Sequence, residues 1–269
     1  VKGQSVWLTV DTDDHRHVPR VQGHPKRSRG SRGEPSLSTD LLTGLNVLRN
    51  WVLEQERKVT LFVIADQLDE PRFVQAVDDL IATGRCTIGV HGMTHRCWSA
   101  YPPDRDVFVK EIGRAVTELD ARFGESCRPW FRAPAGYVAP WMAQPLFELG
   151  FKVDSSINPS PLLGRFKSGG NGWDSVHRAI TVAGLTERPW RTLGKGWFRF
   201  PTCGPAQHIP ALRTLARASW HRLVNVADAE EDQIEDPNAT VHTIYWHAKD
   251  HVRRRRYWYP PIGPPQVLT

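Results

Sequence analysis

What most limits the fold of this chain is the order in which short apolar runs and helix-patterned stretches alternate along it. Ser5–Val10, Val59–Ile64, Cys86–Val90, Trp130–Arg132, Lys152–Asp154 and His242–His247 are short and rich in β-branched or aromatic residues. That is the pattern of strands buried in a parallel sheet. Between them lie helical periodicities. A first helix is expected from Ser38 or Thr39, either of which can cap it, to about Glu56, with Leu41, Leu42, Leu45, Leu48 and Val52 on one face. Pro71 opens a second helix carrying Phe73, Val77, Leu80 and Ile81, which Gly84 ends. Arg105 to Phe123 reads as a third, with Val109, Ile112, Val116, Leu119 and Phe123 inward and Gly124 as its stop. A fourth is expected from Ala139 to Leu149, tolerating Pro140 in its first turn and strained by Pro145. After Asn158 the pattern loosens, with strands expected near Ala179–Val182 and Phe198–Phe200 and a helix from about Pro210 to Val224. Such alternation argues for an α/β chain with a parallel sheet, open or closed to a barrel.

Length and composition fit this reading. At 269 residues and 40% hydrophobic content the chain can bury a sizeable core, and with no internal repeat or linker it reads as one domain over 1–269. Two segments depart from the alternation. Residues 15–38 carry Arg16, Arg20, Lys26, Arg27, Arg29 and Arg32 against Glu34, with glycines and prolines, and read as a basic mobile insertion. Residues 252–269 form a basic aromatic tail in which Arg253–Arg256 precede Tyr257, Trp258 and Tyr259. The net charge of +6 points to an anionic partner such as a lipid head group, an acidic glycan or nucleic acid. No run approaches the roughly 18 apolar residues of a membrane span. The N-terminus leads directly into a strand, so a cytoplasmic location is expected, with contact at the inner membrane face allowed by the basic segments; a leader preceding Val1 would make it extracytoplasmic. Cys86, Cys97, Cys127 and Cys203 form no C-x-x-C pair, so reduced thiols are expected rather than a zinc ribbon or redox site.

The chemistry collects at the C-terminal ends of the expected strands, where Asp11, Asp13, His91, Arg132, Asp154 and His247 fall. In a βα barrel those ends share the face that carries the active site. His91 and His95, four residues apart, can close on one metal ion. With a carboxylate they make a three-ligand set with open positions, suited to a divalent Lewis acid, and a second carboxylate can serve as base toward water. Singly each signal is weak. Arg132 could be an ordinary ion-pair residue, Asp154 a turn cap, and His247 a core histidine.

As an ordered set the motifs are specific. Thr9-Val10-Asp11-Thr12-Asp13, His91-Gly92-Met93-Thr94-His95, Arg132-Ala133-Pro134-Ala135-Gly136-Tyr137, Asp154-Ser155-Ser156 and Tyr245-Trp246-His247 resemble the five signatures of the polysaccharide deacetylases, the NodB-homology carbohydrate esterases of family 4. The resemblance covers about residues 5 to 250. It implies a single-domain distorted (β/α) barrel of about seven parallel strands, and a metal-dependent hydrolase removing an N-acyl group, foremost acetyl, from an amino sugar of a surface polysaccharide or its precursor. By the same resemblance Asp13, His91 and His95 hold one divalent ion, zinc before cobalt, nickel or manganese, and Asp11 is the base. Arg132 tethers Asp11, the backbone N–H of Tyr137 assists the oxyanion, and His247 is the acid with Asp154 raising its pKa. Thr12 separates two aspartates that many members write adjacently, and Asp14 follows, so Asp14 is the alternative ligand unless it faces Arg16. His15 and His17 read as loop histidines, and His242 as a spare acid. Residues 162–202, with Trp173, Trp190 and Trp197, are expected to shape the substrate cleft.

Other readings differ in class. A deformylase acting on a lipid-linked or nucleotide-linked formamido sugar at the cytoplasmic membrane face would suit the basic segments, as would a nucleic-acid binder, which no other feature supports. A catalytically silent sugar-binding module has no need of both a base and an acid.

Overall fold

The computed structural model describes residues 3–29, 37–253 and 256–263. In chain order the strands and helices are β1 (Gln4–Asp11), α1 (Thr39–Gln55), β2 (Val59–Val63), α2 (Pro71–Ile81), β3 (Cys86–Val90), α3 (Arg105–Phe123), β4 (Cys127–Phe131), α4 (Ala143–Glu148) and β5 (Val153–Asp154). There follow α5 (Pro161–Lys167), α6 (Trp173–Ala183), β6 (Thr186–Glu187), β7 (Thr192–Leu193), β8 (Phe200–Pro201), α7 (Pro210–His221), α8 (Glu231–Glu235), β9 (Thr240–His247), β10 (Val252–Arg253) and β11 (Arg256–Tyr257).

Seven strands form one parallel sheet in the order β6-β5-β4-β3-β2-β1-β9. β1 and β9 pair over eight residues, from Gln4 opposite Thr240 to Asp11 opposite His247. β1 is buried from Ser5 onward on both faces, which is why its sequence is apolar without alternation. The sheet curls until its edges nearly meet. Past β6 the chain crosses to β9, where Trp190 and Thr243 form an isolated parallel bridge and the Arg191 N–H donates to the Thr243 carbonyl at 2.8 Å. The result is the distorted, seven-stranded (β/α) barrel that the motif order implied.

Helices lie against the sheet through the stripes that periodicity marked. Ser38 caps α1 by accepting from the Leu41 N–H at 3.2 Å, and Leu41, Leu45, Leu48 and Val52 are buried. α1 packs closely on the turn after β9: a Cβ added at Gly44 would lie 2.2 Å from the Ala248 carbonyl oxygen. In α3 the buried stripe is Phe108, Ile112, Ala115, Leu119 and Phe123, leaving Val109 and Val116 half-buried, a shift of one position at two of the five expected sites.

Several expectations are corrected. The strand expected at Ala179–Val182 is the end of α6, because Val176, Ile180 and Ala183 bury one helical face and Gly184 closes it in a left-handed conformation. The β-branched run Ile180-Thr181-Val182 misleads when read alone. The single helix expected over Ala139–Leu149 is a 3-10 turn, Pro140–Met142, followed by α4. Pro145 is the third residue of α4, where no helical N–H partner is required, so it imposes no strain. Phe198–Phe200 is the end of a 3-10 turn leading into β8.

Parts of both basic segments pack on the barrel, while Lys26, Arg27, Arg29 and Tyr257 are exposed. His17 and His24 are buried, and Gly23 accepts from the Cys97 N–H at 2.7 Å. Residues 30–36, including Arg32 and Glu34, lie outside the described residues. In the C-terminal tail Trp258 and Ile262 are buried, and the Trp258 N–H donates to the His251 carbonyl at 2.9 Å. Arg254, Arg255 and 264–269 lie outside the described residues. The four cysteines are free, and no described helix is long and apolar enough to cross a membrane.

Candidate active site and metal centre

Parallel register is what gathers the site. Asp11 stands opposite His247 on one side and Phe62 on the other, Val90 opposite Phe131, and Phe131 opposite Asp154. The polar residues at or just past these positions therefore emerge together on the C-terminal rim.

Asp13 lies between two imidazoles, with carboxylate oxygens 3.3 Å from His91 Nε2 and 2.6 Å from His95 Nε2. None of the three residues is more than 5% exposed. Yet Asp13 Oδ2, His91 Nε2 and His95 Nε2 make no hydrogen bond, so buried lone pairs approach one another without donor geometry. Ligand atoms so placed could hold one divalent cation between them. His91 Nδ1 is 2.8 Å from the Arg132 carbonyl oxygen; a proton donated there leaves Nε2 as the lone-pair nitrogen. Burial alone would favour a neutral Asp13, but the His95 and His91 rings outweigh it and hold the carboxyl well below its ordinary range. Burial holds His95 below its usual value, toward the neutral form a metal requires.

Asp14 is committed elsewhere. It caps the 3-10 turn His15–His17, accepting from the His15 N–H at 2.7 Å, the Ser38 N–H at 2.6 Å and the Ser38 hydroxyl. It does not face Arg16, whose carboxylate is Asp66 at 3.2 Å. His17 is no solvated loop residue: it is buried, 3.2 Å from Asp66, with its ring 6.1 Å from that of His95. His15 is exposed beside Asp40, and His242 lies 3.2 Å from Gln4, toward the opposite end of β9 from His247.

Asp11 is held from below by a fully buried Arg132. Its Nη1 donates to Asp11 Oδ1 at 2.6 Å, Nε to the Ser155 carbonyl at 2.9 Å and Nη2 to the Ser155 hydroxyl at 2.9 Å. The guanidinium lies 4.1 Å over the Phe62 ring. A charge with so many fixed acceptors holds the carboxylate it touches in one orientation.

His247 completes the group, its ligand atom within 4.8 Å of both Asp11 and Asp13 oxygens. The carboxylate beside it is not Asp154. Asp250 Oδ2 accepts from the His247 N–H at 3.0 Å and lies 3.3 Å from its Nδ1, while Oδ1 lies 3.2 Å from His208. Burial works against charge on His247, and Asp250 more than offsets it, holding the imidazole above its usual pKa. Asp154 instead accepts from the Ser156 hydroxyl at 2.7 Å, and Ser156 in turn accepts from the Ala133 N–H at 2.8 Å. Its register partner is Glu187, and burial raises the pKa of both.

Tyr137 is buried, and its N–H donates to the Pro134 carbonyl at 3.1 Å, spanning a turn in which Ala135 has φ +51°. Trp190, expected at the cleft, is in the core, its ring tilted against that of Tyr245 with centroids 4.2 Å apart and its indole N–H donating to the Ser155 carbonyl at 2.8 Å. Trp173 does line a cleft, of about 840 Å³, with Ile157, Arg165, His177 and Arg199. The side chain of Trp197 lies outside the described residues. A second cavity, about 270 Å³, sits among residues at the N-terminal ends of the strands, away from this chemistry.

Reading by motif missed Asp250, His208 and Glu187. Asp250 follows His247 at a spacing of three, a signal available in the sequence but ambiguous without knowing that the chain turns there; Glu187 and His208 carry no local mark.

Comparison with known proteins follows the same line. Residues 47–153 match the sequence model of the polysaccharide deacetylase family. The match includes His91, His95, Arg132 and Tyr137 and leaves out the strands bearing Asp11 and His247. The fold is similar to that of a protein from Mycobacterium smegmatis assigned as a polysaccharide deacetylase, at TM-score 0.56 and 18% identity, over 92% of this chain and 78% of that one. A family 4 carbohydrate esterase from Streptomyces lividans, in complex with acetate, aligns at 0.41 and 15%, over 91% and 79%. A CE4 esterase from Streptococcus mutans aligns at 0.45 and 13%, over 92% and 75%. No curated protein matches the chain in sequence.

Proposed function

We propose that this chain, matched to the polysaccharide deacetylases over residues 47–153, is a metal-dependent hydrolase removing an N-acyl group, acetyl first, from an amino sugar of a polysaccharide or its precursor. One observation carries the reading: unbonded lone pairs of Asp13, His91 and His95 converge beside a carboxylate, Asp11, that Arg132 holds, and an imidazole, His247, whose Nδ1 faces Asp250.

A divalent ion held by Asp13, His91 and His95 would polarise the acyl carbonyl and ease loss of a proton from water. Asp11, oriented by Arg132, takes that proton as the water oxygen bonds to the carbonyl carbon. His247 gives a proton to the sugar nitrogen as the C–N bond breaks, and the acid leaves as carboxylate. With Nδ1 turned to Asp250, Nε2 is the nitrogen that delivers it. The Tyr137 N–H serves the developing oxyanion by lengthening its bond to Pro134. Asp154 acts at one remove: through Ser156 it holds the Ala133 N–H, and so the loop that carries Arg132.

The test is acid release from N-acetylated chito-oligosaccharides and from formamido sugars by metal-stripped and zinc-restored protein. We expect restored turnover with acetate as the product; formate release alone would move the substrate to the formamido class. Asp11→Asn is expected to lower kcat/KM by roughly a hundredfold or more. A loss of only a few fold would remove Asp11 from the base role.

A further inference from the structure

Two segments that frame the rim contain no acidic residue. Residues 15–29 contribute Lys26 and Arg27, and residues 155–173 contribute Arg165 and Lys167. They meet over Tyr137. Arg27 Nη1 lies 3.4 Å from the Tyr137 hydroxyl, and Lys167 Nζ donates to the Ala135 carbonyl at 2.5 Å and lies 5.6 Å from the Tyr137 ring centroid. These contacts are to neutral oxygen and a π face, the Cys97 thiol lies close to both cations, and among the described residues neither has a carboxylate within ion-pair distance. Burial pulls the Lys167 ammonium down to about 8, against the nearby Cys97 thiol and with the Arg27 charge.

The surroundings suit a sugar. Phe166, 56% exposed, packs edge-on to Tyr137 at 5.8 Å and offers an open aromatic face. Arg165, on the same short helix, lines the 840 Å³ cleft with Arg199, His177 and Trp173, against a single lining carboxylate, Asp174. The location is the catalytic rim: Ala135 and Tyr137 continue the loop of Arg132, and a Cβ at Gly23 would fall 2.1 Å from the His95 carbonyl oxygen, so the basic segment rests on the metal loop itself.

We propose that Arg27 and Lys167 form an anion subsite beside the acyl-sugar site, taking a carboxylate or phosphate group carried by the substrate. The subsite would make the enzyme prefer acidic or phosphorylated acylamino sugars over neutral ones. It rests on the deacylase reading for its purpose but not for its binding chemistry.

The experiment measures binding of N-acetylglucosamine, its 6-phosphate and an N-acetylated aminouronic acid to the full chain by calorimetry, at low and raised salt. Wild type, Arg27→Ala, Lys167→Met and the double variant are compared, with Lys167→Arg as the charge-keeping control. We expect an anionic ligand to bind wild type roughly tenfold or more tightly than the neutral sugar, as charge-assisted hydrogen bonds allow. That advantage should shrink with salt, fall to about twofold in the double variant and persist in Lys167→Arg. The phosphate and carboxylate arms tell which anion the subsite takes. Equal binding of neutral and anionic ligands, or an advantage that survives the double substitution, overturns the proposal; should Lys167→Met not fold, Arg27→Ala alone decides it. An anionic preference in a protein that releases no acid from any acyl sugar would sink the deacylase reading and leave the subsite standing.

Discussion

Thr12 is the residue that lets two carboxylates share one site. Extended backbone alternates sides, and Thr12 is anchored the other way, its hydroxyl 2.5 Å from Gln67 Oε1 and its N–H donating to the Phe62 carbonyl. Asp11 and Asp13 consequently face the rim together, and Asp14, one residue on, turns to Ser38. This much could be read from spacing; the partner of the acid could not. Motif order nominated Asp154 for His247, whereas the nearby carboxylate comes from a turn three residues after it. Asp250→Asn is therefore expected to lower kcat on N-acetyl amines by roughly 10- to 100-fold while sparing 4-nitrophenyl acetate, whose leaving group needs no proton. An equal loss on both substrates would mean that Asp250 supports the fold rather than the acid.

Among the elements, the helices were legible because their apolar stripes are periodic, and the docked loops were not, because no period marks a loop that packs. The segment after β9 shows the cost of that blindness. Buried His251 accepts from the Trp246 indole N–H through Nε2 at 3.0 Å, while Nδ1 lies 2.9 Å from the Trp258 carbonyl oxygen, an arrangement only the neutral ring satisfies. Burial brings its pKa to about 4, below the ordinary 6.5. The unfolded chain thus binds more protons between those values, so this contribution is complete above about pH 6.5 and is lost as pH falls toward 4. His251→Gln should flatten the decline in unfolding free energy between pH 7 and 5 measured by urea titration, removing roughly 2 kcal/mol of pH-dependent stability. An unchanged slope would assign the decline to other groups. At the opposite loop, Gly23 has φ +80° and no room for a Cβ. Gly23→Ala should lower the melting temperature and weaken zinc binding together, since the clash falls on the His95 carbonyl; a stability loss with zinc affinity intact would separate the basic segment from the metal loop.

For the molecule as a whole, an ion held by Asp13, just past β1, and by His91 and His95, just past β3, would tie distant parts of the chain together only when they are folded. Zinc at about 100 times its dissociation constant is expected to add roughly 2.7 kcal/mol, or on the order of 5–8 °C in melting temperature. Asp13→Asn should abolish most of that shift, and a full shift in the variant would place the ion elsewhere. The architecture was legible because parallel βα alternation admits few topologies. What the alternation could not reveal is how the barrel ends, for β5 and β6 are two residues each and no pattern announces Trp190 as the link to Thr243. That link makes the barrel a cuff with a single clasp. Its amide, Arg191 N–H, should exchange with deuterium well ahead of those between β1 and β9, where eight residues are in register. The clasp joins the strand of His247 to the chain that leads from Asp154 and Glu187, so opening it would part His247 from the buttress of Arg132 and leave the paired β1, with Asp11 at its end and Asp13 just past it, in place.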